Sequence, residues 1–99
     1  MAATNPPLIE VAAKIGLQKV QMLVDTAATV TILPKELSEG LHVSPSAVTI
    51  LAANKEPITV YGETTVDIAI PGLRRNFTWR VVIADVSRAL LGLDFFDKL

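Results

Sequence analysis

Short apolar runs, rich in β-branched residues and cut at close intervals by Gly, Pro and Asn, restrict the fold of this chain more than any other feature. Within the runs, side chains alternate in steps of two, as in a pleated strand. Val20, Met22 and Val24 alternate with Gln21 and Leu23, and Val66, Ile68 and Ile70 share one face of a later run. The pattern predicts strands over Leu8 to Ala13 and Gln18 to Val24, with a turn at Lys14-Ile15-Gly16-Leu17 between them. Asp25 to Ala28 interrupts with small residues, and Val30 to Leu33 is apolar again. Pro34 stops that strand, and Lys35 to Glu39 reads as one helical turn before Gly40. Val48 to Ala52 and Ile58 to Tyr61 flank the polar segment Ala53-Asn54-Lys55-Glu56-Pro57, and together they read as a hairpin. Thr64 to Ile70 continues as a strand, Pro71-Gly72 makes a turn, and Phe77 to Val86 is the longest strand. Ala89-Leu90-Leu91-Gly92 is a short buried run, after which Asp94 stands as an N-cap for a terminal helix over Phe95 to Leu99. The expected fold class is all-β with one or two helical turns.

Ninety-nine residues is the size of one small domain, here 1–99. Hydrophobic residues make up 51% of it and charged residues 19%. That is more apolar material than a thin core absorbs, which points to an oligomer. A net charge of −1 leaves no electrostatic footprint for nucleic acid. Arg74-Arg75 with Arg80 reads as a solvated turn and strand face. The absence of cysteine excludes a disulfide framework, a thiolate zinc site and a cysteine nucleophile. No cluster has metal-ligand spacing, and neither a metal nor a cofactor is expected. No apolar stretch approaches the roughly 20 residues of a membrane span, so no membrane partner is expected. Met1 to Pro7 lacks the charged-then-apolar layout of a signal peptide, and the chain reads as intracellular or as excised from a larger precursor.

Asp25 is the most informative residue. It follows the apolar run Met22-Leu23-Val24 and precedes Thr26-Ala27-Ala28, where a buried strand opens into a tight turn. An Asp after a strand is most often a turn or cap residue. A charge at the end of a buried strand is nevertheless costly unless something needs it. The other candidates are duller. His42 has no Ser or Cys motif around it, and Asp67, Asp85, Asp94 and Asp97 read as solvated or capping carboxylates. Phe77 and Trp79, two apart, read as packing residues on one sheet face, and Tyr61 as strand packing or a groove wall.

The segment Leu23-Val24-Asp25-Thr26-Ala27-Ala28-Thr29-Val30-Thr31-Ile32-Leu33-Pro34 resembles the active-site segment of the retropepsins. Ala89-Leu90-Leu91-Gly92-Leu93-Asp94-Phe95 is similar to the second landmark of that family, in the form found in gypsy-type retrotransposon proteases. Between them lies a hairpin where the family keeps its substrate-covering flap, and the resemblance spans roughly residues 8 to 98. It implies a small closed β-barrel with a flap hairpin and a short C-terminal helix. It further implies an aspartic endopeptidase that processes a retroelement polyprotein. The implied setting is intracellular, within virus-like particles or as a product released from a polyprotein.

One carboxylate cannot both deprotonate a water and protonate a leaving amine, whereas two about 3 Å apart share a proton and divide the roles. The chain has a single Asp-Thr-small motif, so the resemblance implies a C2 homodimer with Asp25 from each copy activating the water. Thr26, Ala27 and Ala28 would support that site, and Ala53, Asn54, Lys55 and Glu56 would form the flap over an extended peptide. Ala27 stands where the family has Gly. A methyl there only narrows the groove if φ is negative, and costs on the order of 1 kcal/mol if φ is positive. Retroviral members also continue past the terminal helix with an interleaved strand. The sequence ends at Leu99, so the dimer is expected to be weaker and to rely on other contacts. The alternatives are a retropepsin-fold module that binds peptide without cutting it, and an unrelated small β-barrel in which Asp25 is a turn residue.

Overall fold

The computed structural model describes residues 9–52, 54–74 and 76–98. Two long hairpins supply most of its pairing. The first joins β1 (Glu10–Ile15) to β2 (Gln18–Val24), and the second joins β6 (Val60–Ala69) to β7 (Asn76–Ala84). Between them come β3 (Ile32–Pro34), a 3-10 turn at Lys35–Ser38, β4 (Ile50–Leu51) and β5 (Pro57–Ile58). The chain closes with β8 (Leu90–Leu91) and one short helix, α1 (Leu93–Phe96). Six strands form a closed barrel in the order β1-β2-β8-β3-β7-β6, while β4 and β5 pair as a separate hairpin. This is the expected all-β closed barrel with a flap-like hairpin and a short C-terminal helix.

Several boundaries differ from those expected. β1 runs on to Ile15 because Ala13 and Ile15 are both buried, so the alternation continues and only Gly16-Leu17 is left to turn. Gly62 and Glu63, which lie outside both expected strands, are part of β6. β6 is continuous over 10 residues and longer than the 9 of β7, which stops at Ala84 instead of Val86. A register shift between Val60 and Gly62 absorbs the irregularity. Gly62 is there for a different reason. Its φ is 151°, and an added Cβ would lie 2.3 Å from the Ser44 carbonyl oxygen. Asp94 is not an N-cap either: α1 starts at Leu93 behind Gly92, and no side chain caps it. Leu8 and Leu99, the expected outer limits of the first strand and last helix, lie outside the described residues.

β7 explains why one strand reads as a continuous apolar run. Val81 and Ile83 enter the main core with Met22, Leu33, Ile68 and Phe95, while Val82 and Ala84 pack with Ile32 on the other side of the sheet. Over Val81 to Ala84 both faces are covered, so there the period of two is masked by apolar residues at successive positions. Phe95 is fully buried and meets Phe77 and Trp79 edge to face, at ring-centroid distances of 5.0 and 5.2 Å. Burying a side chain of this size contributes roughly 3 kcal/mol, which anchors the short helix to the barrel. No helix among the described residues is long and apolar enough to cross a membrane.

Candidate active site

Asp25 sits where β2 leaves the barrel, and its backbone is fixed from the far end of the chain. The end of β2 runs parallel to β8, with Leu23 opposite Leu90 and Val24 opposite Leu91. The Leu23 N–H donates to the Ala89 carbonyl at 2.9 Å, and the Asp25 N–H donates to the Leu91 carbonyl at 3.0 Å. The loop then closes on itself. The Ala28 N–H donates to the Asp25 carbonyl at 3.1 Å, and the Ala27 N–H donates to Asp25 Oδ1 at 3.1 Å. The carboxylate is therefore aimed by its own turn, with one oxygen held by the backbone and the group half-buried.

Gly92 holds the loop from beneath. An added Cβ would lie 2.3 Å from the Val30 carbonyl oxygen and 3.0 Å from that of Ala28, so only a bare backbone fits. Next to it the Leu93 N–H donates to the Ala28 carbonyl at 2.8 Å. The Gly92 N–H donates to Thr31 Oγ1 at 3.1 Å. Thr31 is fully buried, and its hydroxyl donates in turn to Asp94 Oδ1 at 2.9 Å. Trp79 Nε1 donates to Asp94 Oδ2 at 2.9 Å, so both oxygens of that carboxylate are occupied. Buried polar groups are tolerated when each finds its partner, and this network meets that condition. Asp94, expected to be a cap, is instead the junction between α1, β7 and the segment after Asp25.

A cavity of about 550 Å³ opens above Asp25. Ala27, Ala28 and Thr29 complete the floor beside Asp25, and Ile32, Val86 and Leu90 supply apolar walls. The roof comes from the hairpin side, through Val48, Ile50, Ala52 and Ile58. Asp25 is the single ionisable side chain among the described residues that line the cavity. Ala27 has no positive φ, since Lys55 is the sole non-Gly residue with one among the described residues. The Ala27 methyl thus narrows the floor without straining the turn.

The remaining expected site residues are distributed as follows. Thr26 is exposed on the turn and does not line the cavity. Ala53 lies outside the described residues. Asn54, Lys55 and Glu56 are exposed at the hairpin tip, where the Glu56 N–H donates to Asn54 Oδ1 at 3.0 Å. The Lys55 N–H donates to the Ala52 carbonyl at 2.8 Å, and Lys55 takes a φ of 66° to do so. The tip rises beyond the cavity, whose wall is built by Thr49 to Ala52. Tyr61 is exposed, with Lys35 Nζ 5.0 Å from its ring centroid. No group of three or more His, Cys, Asp or Glu among the described residues is placed to hold a metal ion.

No curated protein matches the chain significantly. Among solved structures, EIAV protease complexed with the inhibitor HBY-793 superposes with a TM-score of 0.77 at 18% identity, over 99% of this chain and 93% of that one. The retroviral protease-like domain of Ddi1 from Leishmania major superposes with a TM-score of 0.67 at 20% identity, over 95% of this chain and 78% of that one. Identities this low speak for the fold alone. The sequence itself goes further: the family model described as gag-polyprotein putative aspartyl protease matches residues 11–98, nearly the whole barrel with both the Asp25 turn and the Gly92 segment inside it. The chain belongs to that family, the retropepsin-type aspartic proteases.

Proposed function

We propose that the protein is an aspartic endopeptidase that works as a homodimer, with Asp25 of each copy sharing the activation of one water. The observation that carries this reading is the single carboxylate on the floor of a cleft whose other lining side chains, among the described residues, are uncharged. Peptide hydrolysis by this chemistry needs a base to take a proton from water and an acid to give one to the departing amine. One Asp25 cannot hold both roles at once, and no other ionisable side chain lines the cleft among the described residues. A second copy related by a two-fold axis supplies the missing carboxylate. The negative φ of Ala27 supports the enzyme reading, since the turn carries no strain from the methyl. The apolar walls suit apolar side chains of an extended peptide, bound by backbone hydrogen bonds under the hairpin. The family's description names gag polyproteins, which supports a retroelement polyprotein as substrate.

The test is cleavage of a mixed peptide library by the purified chain between pH 4 and 7, with and without a statine-type inhibitor, alongside Asp25→Asn. The variant keeps an oxygen to accept from Ala27 N–H, so circular dichroism should not change while hydrolysis is abolished. Residual activity within tenfold of the original chain overturns Asp25 as catalyst. Activity per chain should rise with protein concentration through the dimer's dissociation range. Constant specific activity across that range, checked by sedimentation, overturns the shared site. A dimer that binds peptide and never cuts assigns the chain to peptide binding instead.

A further inference from the structure

Segment 42–48 connects the end of the Lys35–Ser38 turn region to the β4–β5 hairpin, and it has little pairing of its own. A single bridge joins Ser44 to Glu63 of β6, with N–H to carbonyl distances of 2.8 and 2.7 Å in the two directions. Gly62 lets the two backbones come this close, since any Cβ there would strike Ser44. On either side, the segment is pinned by side chains of β6. Thr64 Oγ1 donates to the His42 carbonyl at 2.8 Å. The Ser46 hydroxyl donates to Glu63 Oε2, and Ser46 Oγ accepts from the Val48 N–H at 3.1 Å. Glu63 Oε1 is taken by Arg80 Nε of β7 at 2.7 Å.

The two arms of the hairpin are therefore held unequally. The outgoing arm passes from Ile58 almost directly into β6 and is fixed by the chain itself. The incoming arm, Val48 to Ala52, roofs the cavity and reaches β6 through the Ser46–Glu63 bond. The ion pair alone would not single out Glu63, because the Arg80 side chain is 58% exposed and pairs of that kind contribute little. What distinguishes Glu63 is the route from its carboxylate through Ser46 to the Val48 backbone, the first residue of the roof.

We propose that Glu63 is a positioning residue for the hairpin: through Ser46 it fixes the root of the incoming arm and sets how readily the hairpin lifts from the cleft. Arg80 steadies the Glu63 carboxylate from the opposite oxygen. The consequence for peptide binding rests on the cleft being a peptide site, whereas the mechanical role does not.

The experiment is amide exchange on the full chain, comparing Glu63→Gln, Ser46→Ala and Arg80→Gln, read at Ile50 to Ala52 against Val81 to Ile83. A Gln at 63 has one acceptor for two donors, and an Ala at 46 has none to offer. Each should speed exchange at Ile50 to Ala52 on the order of tenfold, with Val81 to Ile83 unchanged within about twofold. Arg80→Gln leaves the Ser46 bond in place and should give less than about a threefold change. In a peptide-cleavage assay, the first two variants should raise KM with kcat within about twofold. Unchanged exchange at Ile50 to Ala52 overturns the proposal, and so does an equal rise at Val81 to Ile83, which would mean general loosening of the barrel. A chain that cuts no peptide leaves the exchange result to decide the latch, and only the enzyme reading then falls.

Discussion

Gly92→Ala isolates the close approach on which the Asp25 turn depends. The φ of Gly92 is −87°, a conformation open to any residue, so the substitution adds no backbone strain. In the unfolded chain it removes conformational freedom, which by itself would stabilise the protein by about 0.4–1 kcal/mol. Against this, the new Cβ would stand 2.3 Å from the Val30 oxygen, 2.5 Å from the Val30 carbonyl carbon and 3.0 Å from the Ala28 oxygen. All three are backbone atoms, so no side chain can swing away. Overpacking of this kind costs about 1–3 kcal/mol, and with rigid neighbours the upper end applies, giving a net loss of about 2 kcal/mol. For a domain of this size that lowers Tm by roughly 8–16 °C. Gly72→Ala is the control: its φ of 92° penalises a side chain, but nothing lies within 4 Å of the added atom. It should cost about 1 kcal/mol. Thermal unfolding of both variants by calorimetry reads the difference. A Gly92→Ala protein that melts within about 4 °C of the original refutes the steric argument, because the loop would then have given way at little cost.

Two further outcomes are expected. Ala27→Gly should change peptide turnover by less than about threefold, since the native φ is not positive and there is no strain to relieve; a tenfold gain in a cleavage assay would mean the methyl blocks the groove. The Ser46 hydroxyl and the Arg80 guanidinium hold the Glu63 carboxyl below its ordinary value of 4.5, outweighing the opposing effect of burial. Its contribution is thus fully present above about pH 4.5 and is lost as pH falls through the lowered folded value, so the protection of the Ile50 to Ala52 amides, taken relative to Val81 to Ile83 at the same pH, should hold at pH 4.5 and fall only below it. An equal loss of protection with falling pH in Glu63→Gln would show that another group is responsible.

The sequence disclosed what local periodicity can carry. Apolar patterning placed β1, β2, β6 and β7 to within a few residues, and the Asp25 turn and the Gly92 segment stood out as motifs. The errors have a shared cause. The need for a glycine at 62 is not legible locally, because its partner, the Ser44 backbone, lies 18 positions earlier and only the folded chain brings the two together. Asp94 looked like a cap because caps are local, while its real partners, Thr31 and Trp79, are 63 and 15 residues away. Glu63 gave no signal at all, since a carboxylate on a strand is ordinary until Ser46 and Arg80 are brought to it from 17 residues either side. The hairpin was located correctly, but its polar tip drew attention away from the apolar arm that faces the cleft.

The lacing of the Asp25 turn to the distal segment also governs when the turn can exist. Thr31 and Asp94 are 63 residues apart, and between them lies almost everything else in the barrel. At a synthesis rate of about 5–20 residues per second, some 3–13 s separate the two as the chain is made. Through that interval the Leu23 and Asp25 N–H groups lack the Ala89 and Leu91 carbonyls, and Ala28 has no Leu93 N–H to accept from. Pairings of such long separation also form late, because the intervening loop must first be closed. A growing chain therefore holds the Asp25 turn by its local bonds alone, unanchored to the barrel, until Ala89 to Asp94 has emerged and docked. The arrangement builds a delay into the order of synthesis: the Asp25 turn gains its anchorage only when the last strand and helix of the barrel are in place.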